Sequence, residues 1–198
     1  MIQLSHTLIL GSKSPRRQEL LKGMGLDFVI RTQDSDETYP HDLPLEHIAE
    51  YLAIQKAQVL LNTLANNELL ICSDTAVIVD NQFLAKPETR EEAIAMLNLL
   101  SGKTHKVITG VSLSTSSNQW SFSDTTLVTF STLSSNEISY YVDQYKPYDK
   151  AGSYGIQEWI GYIGIEKMEG SYFNVMGLPT AKLWQELNRL GFVQMVSI

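Results

Sequence analysis

Several short apolar runs, closed by turn-forming residues, suit strands, and they alternate with stretches of helical periodicity. Thr7 to Leu10 is one such run, closed by Gly11 and followed at once by Ser12-Lys13-Ser14-Pro15. A helix is predicted to start there, with Ser14 as N-cap and Pro15 at the first helical position. Leu20, Leu21 and Met24 form its apolar face, and Gly23 and Gly25 end it. A second strand is predicted near Phe28 to Ile30, then a polar loop from Thr32 to Pro44 carrying Asp34, Asp36 and Glu37, then a helix from Leu45 to Leu64. Leu69 to Cys72 and Ala76 to Val79 read as strand, and Asp80-Asn81 turns the chain back into Phe83 to Ala85.

Thr89 and Glu92 have capping-box spacing for a helix that ends at Ser101-Gly102, and Ser134 and Glu137 repeat that spacing for a helix from Ser135 to about Gln144. Between them, Val107 to Leu113 and Thr125 to Thr132 are β-branched and partly alternating, with the turn-rich Ser114 to Gln119 between, which predicts antiparallel strands. The Gly-rich run from Gly152 to Gly170 leads to a last helix, opened by Pro179 and closed by Gly191. Hairpins and crossovers occur together, so the expected fold class is α/β with a mixed sheet flanked by helices. Neither internal repeats nor low-complexity segments interrupt the pattern.

The 198 residues, 43% of them hydrophobic, suit a single domain spanning 1-198. The 15 Lys and Arg against 22 Asp and Glu argue against a protein that coats nucleic acid, so any phosphate site must be local. Cys72, the single cysteine, sits in an apolar run and is expected to be buried and inert. Leu8-Ile9-Leu10 is too short for a signal peptide or membrane span, and no other run approaches membrane length, so a soluble, reducing compartment is expected.

Gly11-Ser12-Lys13-Ser14-Pro15-Arg16-Arg17 gathers free backbone N–H groups, hydroxyls and cations at one helix start. Cations there oppose the helix dipole, and an anionic ligand would compensate them; a solvated basic turn is the competing reading. Lys56 falls on a helical face with Ile48, Leu52, Val59 and Leu60, where it either needs a partner or snorkels at the stripe's edge. Ser73-Asp74-Thr75 and Lys86-Pro87 each follow an apolar strand one hairpin apart, which suits metal and phosphate, although each alone is commonly a turn. Gly102-Lys103-Thr104 is not a P-loop, because the earlier glycine is replaced by Leu97 and the helix precedes the strand. His6, His41, His47 and His105 lack zinc spacing and read as ordinary surface or loop residues.

Taken together, Ser12-Lys-Ser-Pro-Arg-Arg17, Asp36-Glu37, Lys56, Ser73-Asp-Thr75, Lys86-Pro87, Ser101-Gly-Lys-Thr-His105, Asp149-Lys-Ala-Gly-Ser-Tyr-Gly-Ile-Gln157 and Gly177-Leu-Pro179 resemble the Maf family over nearly the whole chain. The resemblance implies a Maf/Ham1-like (ITPase-like) fold with a cleft between two lobes, and a cytoplasmic, metal-dependent nucleoside-triphosphate pyrophosphatase. It implies that Asp74 is the proton acceptor, and that Ser12, Arg17, Lys56 and Lys86 line the triphosphate site. Glu37, together with Asp74, would bind the divalent Mg or Mn ion. Arg16, Thr75 and Gln157 match base-selecting positions, in the form that goes with dTTP and UTP rather than 7-methyl-GTP. Ser73 departs from the family pattern, where alanine is common, and Trp159 to Ile165 is less familiar. The alternatives are a nucleotide-binding regulator of cell division and a pyrophosphatase for modified nucleotides. A nucleoside triphosphate is the expected partner, without membrane or stable nucleic-acid binding, and a homodimer is left open.

Overall fold

The computed structural model describes residues 1–196. Its strands are β1 (Ile2–Leu4), β2 (Thr7–Leu10), β3 (Phe28–Ile30), β4 (Glu68–Val79), β5 (Gln82–Leu84), β6 (Thr104–Ser114), β7 (Gln119–Phe130), β8 (Ile165–Glu169) and β9 (Val193–Met195). The α-helices are α1 (Pro15–Gly23), α2 (Ile48–Gln58), α3 (Arg90–Leu100), α4 (Ser135–Tyr145), α5 (Trp159–Gly164), α6 (Tyr172–Met176) and α7 (Thr180–Arg189). Seven strands form one sheet in the order β3-β2-β4-β6-β7-β8, with β5 added on β4, while β1 and β9 pair separately. β2 is parallel to β3 and β4, whereas β5 and β8 run antiparallel to their neighbours, so the sheet is mixed as the sequence pattern predicts.

The chain forms two compact units. The first comprises Met1–Asp74, Thr109–Asp124 and the chain from Gly177 onward; the second comprises Thr75–Ile108 and Thr125–Met176. In the first, β2, α1 and β3 make a parallel crossover, and Leu10 pairs with Ile71 of β4 at the point where β2 leaves the sheet. Strand β4 therefore carries Asp74 past the carboxyl end of β2, on the side where α1 begins. Alternation along β4 puts Leu70, Cys72 and Asp74 on one face. Leu70 and Cys72 there pack with Ile9, Ala57 and Leu60, a fully buried cluster, and that face continues toward Lys56 on α2. Gly110 of β6 fixes the seat of α2, since a Cβ at that position would run into the backbone of Ala49 and Glu50.

In the second unit, Val77 and Thr75 share the opposite face of β4, and Val77 packs on Gly152, where a Cβ would stand 2.9 Å from its methyl group. Gly152 holds φ +67° and donates its N–H to the Ala85 carbonyl at 3.2 Å, tying the segment after α4 to the residue before Lys86. Ser134 and Glu137 form the expected capping box on α4.

Several expectations change. β4 does not stop at Cys72 but runs through Ser73-Asp74-Thr75, because the polar side chains of Ser73 and Asp74 find partners and the backbone stays in the sheet. The helix expected over 45–64 is α2 flanked by 3₁₀ turns at Leu45–His47 and Leu61–Thr63; the Thr63 hydroxyl donates to the Leu60 carbonyl at 2.7 Å, a local bond that competes with helix propagation. Ser14 occupies the N-cap of α1 without a side-chain cap bond, and Ser12 Oγ accepts the Ser14 N–H instead at 3.2 Å. The Thr89 hydroxyl caps α3, but Glu92 reaches back to the N–H of Glu88, so that box is only half formed. The Gly-rich run 152–170 contains α5 and β8.

His105 is not a surface residue. It points inward from β6, 1% exposed, stacks edge-on against Phe130, and shares a 2.7 Å hydrogen bond between Nε2 and the Tyr154 hydroxyl. Burial pushes its imidazole down to about 4. Because the folded value lies below the unfolded one, the stability it contributes is complete above about pH 6.5 and is lost as pH falls toward 4. By pH 5 the loss is expected to reach about 2 kcal/mol. Denaturant titrations at pH 7 and 5, with and without His105→Gln, check this; a His105 NMR titration centred near 6.5 contradicts it.

Candidate active site

Residues from four parts of the first unit converge at the point where β2 gives way to α1. Lys56 projects from the last turn of α2 and ion-pairs with Asp74 Oδ1 and, at 2.8 Å, with Glu37 Oε1. Asp74 is 8% exposed and Glu37 about half exposed, so the ammonium bridges a buried carboxylate to an open one. The oddity of a lysine on an apolar stripe thus has a specific cause: it has carboxylate partners.

Arg17 turns back from the first turn of α1. Its Nε donates to the Gly177 carbonyl at 3.0 Å and its Nη1 to Ser12 Oγ at 3.3 Å. Burial lowers its pKa, Asp74 works against that, and neighbouring Arg16 lowers it further. The guanidinium stays charged at neutral pH. α1 has no acidic residue in its first turn, so its dipole and both arginines present positive charge in the same place. The Ser73 hydroxyl shares the Gly177 carbonyl at 3.4 Å. Gly177 belongs to the Gly177-Leu-Pro179 motif but has no site role in the sequence reading; its contribution is a backbone carbonyl 160 positions from Arg17, and the residue type alone does not signal that contact.

Structure thus brings together Ser12, Arg17, Glu37, Lys56 and Asp74, with Arg16 adjacent. Thr75, Lys86 and Gln157 belong to the second unit. There Thr75 follows Asp74 directly on β4, Lys86 is exposed just after β5, and Gln157 lies before α5 with its Oε1 buried and unpaired among the described residues.

Hard oxygen donors from Glu37 and Asp74 already converge on one cation, the Lys56 ammonium. Magnesium-type sites on triphosphates need only one or two carboxylates, with phosphate and water completing the shell, and the pair fits that pattern. No cluster of three or more His, Cys, Asp or Glu side chains that could hold a metal ion occurs among the described residues. No helix among the described residues is long and apolar enough to cross a membrane.

The mixed-sheet α/β fold is Ham1-like. The Ham1 protein of Staphylococcus aureus superposes with a TM-score of 0.51, covering 91% of this chain and 99% of that one at 17% identity. The chain belongs to the Maf family: the model of the Maf-like protein family matches residues 7–190. The dTTP/UTP pyrophosphatase of Bacteroides thetaiotaomicron is 52% identical over 186 residues, 93% of this chain and 96% of that protein. The protein of the same name from Flavobacterium johnsoniae is 48% identical over 185 residues, 93% and 95% of the two chains.

Proposed function

We propose that this chain, acting as one catalytic domain over residues 1–198, hydrolyses dTTP and UTP of the cytoplasmic pool to the monophosphate and pyrophosphate. The observation that carries the proposal is the bridge from Lys56 to Asp74 and Glu37 beside the Arg17–Ser12 pair, in a family whose relatives at about half identity are named dTTP/UTP pyrophosphatases.

Attack of water at the α-phosphorus needs the triphosphate charge neutralised, a proton removed from the water and the leaving pyrophosphate stabilised. Asp74 takes the proton on its carboxylate. Arg17, the N–H groups at the start of α1 and the Ser12 hydroxyl hold phosphate oxygens, with Lys56 and Lys86 countering the charge that builds on the departing pyrophosphate. Glu37 and Asp74 would hold a Mg or Mn ion, which when bound supplies further charge neutralisation.

Arg16, Thr75 and Gln157 are assigned to the base. The Gln157 amide carries N–H donors beside a carbonyl acceptor; held in one orientation it matches the acceptor and N–H on the edge of uracil or thymine, a pattern that cytosine reverses. Leaving such a group unsatisfied costs on the order of 1 to 3 kcal/mol, roughly tenfold to a hundredfold in selectivity. The test is kcat/KM for UTP, dTTP, CTP, GTP and 7-methyl-GTP. UTP and dTTP should lead with little difference between them; a lead for 7-methyl-GTP, or equal rates on all five, overturns the assignment.

A further inference from the structure

The four-residue turn Gly155-Ile156-Gln157-Glu158, closed by the Glu158 N–H on the Gly155 carbonyl at 3.0 Å, is held by an unusual set of buried polar groups. Glu158 is the N-cap residue of α5, yet its carboxylate caps nothing. Both its oxygens are committed elsewhere: Oε1 receives the Lys150 ammonium at 3.1 Å and Oε2 the Tyr141 hydroxyl. The same phenol oxygen accepts the Gly155 N–H at 3.0 Å. Tyr141 is fully buried on α4, and Lys150, 7% exposed, also reaches Asp149 at 2.7 Å. Burial, aided by Glu158, raises the Tyr141 pKa well above that of an ordinary phenol, so it remains the donor.

Charged groups this enclosed are costly unless paired, and nothing in the proposed hydrolysis uses them. Their geometry supplies a reason. A Cβ on Gly155 would lie 2.8 Å from Glu158 Cδ and 3.1 Å from Gln157 Nε2, so the carboxylate and the amide lie over the same bare glycine. Tyr141 grips both ends of the turn, and Gln157 sits inside it with its buried Oε1 unpaired. An amide that must discriminate by hydrogen bonds has to be held to a fraction of an ångström, which requires a rigid supporting shell.

We infer that Tyr141, Glu158 and Lys150 are positioning residues for Gln157, a buried clamp that fixes its amide for base selection. This rests on the base-reading role proposed above for Gln157. The clamp predicts a loss of selectivity without a loss of chemistry. Glu158→Gln keeps the shape but weakens the grip on Lys150, and Tyr141→Phe removes only the hydroxyl.

The experiment measures kcat and KM for UTP and CTP on wild type, Glu158→Gln, Tyr141→Phe and Gln157→Ala, with thermal melts alongside. Both clamp variants should lower the UTP-to-CTP ratio of kcat/KM roughly tenfold, mostly through a higher KM for UTP, with kcat within about a factor of two. Lower melting temperatures with an unchanged ratio overturn the clamp and leave a purely structural network. Should Glu158→Gln fail to fold, Tyr141→Phe decides alone. If Gln157→Ala keeps the wild-type ratio, the base-reading role itself falls and the clamp with it, whereas a changed ratio in Gln157→Ala alone overturns only the clamp.

Discussion

Asp74→Asn is expected to lower kcat by about 10² to 10⁴ while leaving the substrate's KM nearly unchanged. The amide keeps the size of the carboxylate and one acceptor for the Lys56 ammonium, so packing on β4 should survive; what disappears is the ability to take a proton from water. The position makes this a sharp substitution. Asp74 lies on the face of β4 that already packs on α2, held by Lys56 and in the field of Arg17, and it is the one buried carboxylate among the described residues. Measuring single-turnover rates and nucleotide affinity separately checks it. Turnover near that of the wild type would leave Asp74 without a role as base.

Lys56→Met carries the next largest effect, a loss in turnover of roughly 10² with a smaller effect on folding. Methionine suits the apolar stripe formed with Ile48 and Leu52, so the packing of α2 is retained. The cost to stability comes from leaving Asp74 buried without its ammonium, partly offset by the nearby charge of Arg17. The exposed end of the bridge, to Glu37, contributes little to folding. If turnover is kept and only the melting temperature drops, Lys56 is a structural counter-ion and not part of the phosphate site.

Residues near one another in the chain were the legible ones. Strand, loop and helix start from Thr7 to Arg17 could be read because Gly11, Ser14 and Pro15 act locally, and Lys56 stood out because a cation interrupted an apolar face. That it would meet both Asp74 and Glu37 depends on β4 staying in the sheet through Ser73-Asp74-Thr75, a polar stretch that looks like a strand's end. His105 was misjudged because its strand begins earlier than the β-branched run at Val107, and a histidine facing Phe130 and Tyr154 has no signature in spacing. The clamp on Gln157 was invisible for a similar reason. Tyr141 reads as one more aromatic on a helix, and only the fold shows its hydroxyl between Gly155 and Glu158.

The central claim is that water attacks the α-phosphorus of a pyrimidine triphosphate. Hydrolysis of UTP in ¹⁸O-labelled water with magnesium, followed by mass spectrometry of the products, tests it directly. UMP carrying one labelled oxygen, unlabelled pyrophosphate and no activity in excess chelator are the predicted outcome; UDP with orthophosphate, label in the pyrophosphate, or full activity in chelator contradicts it.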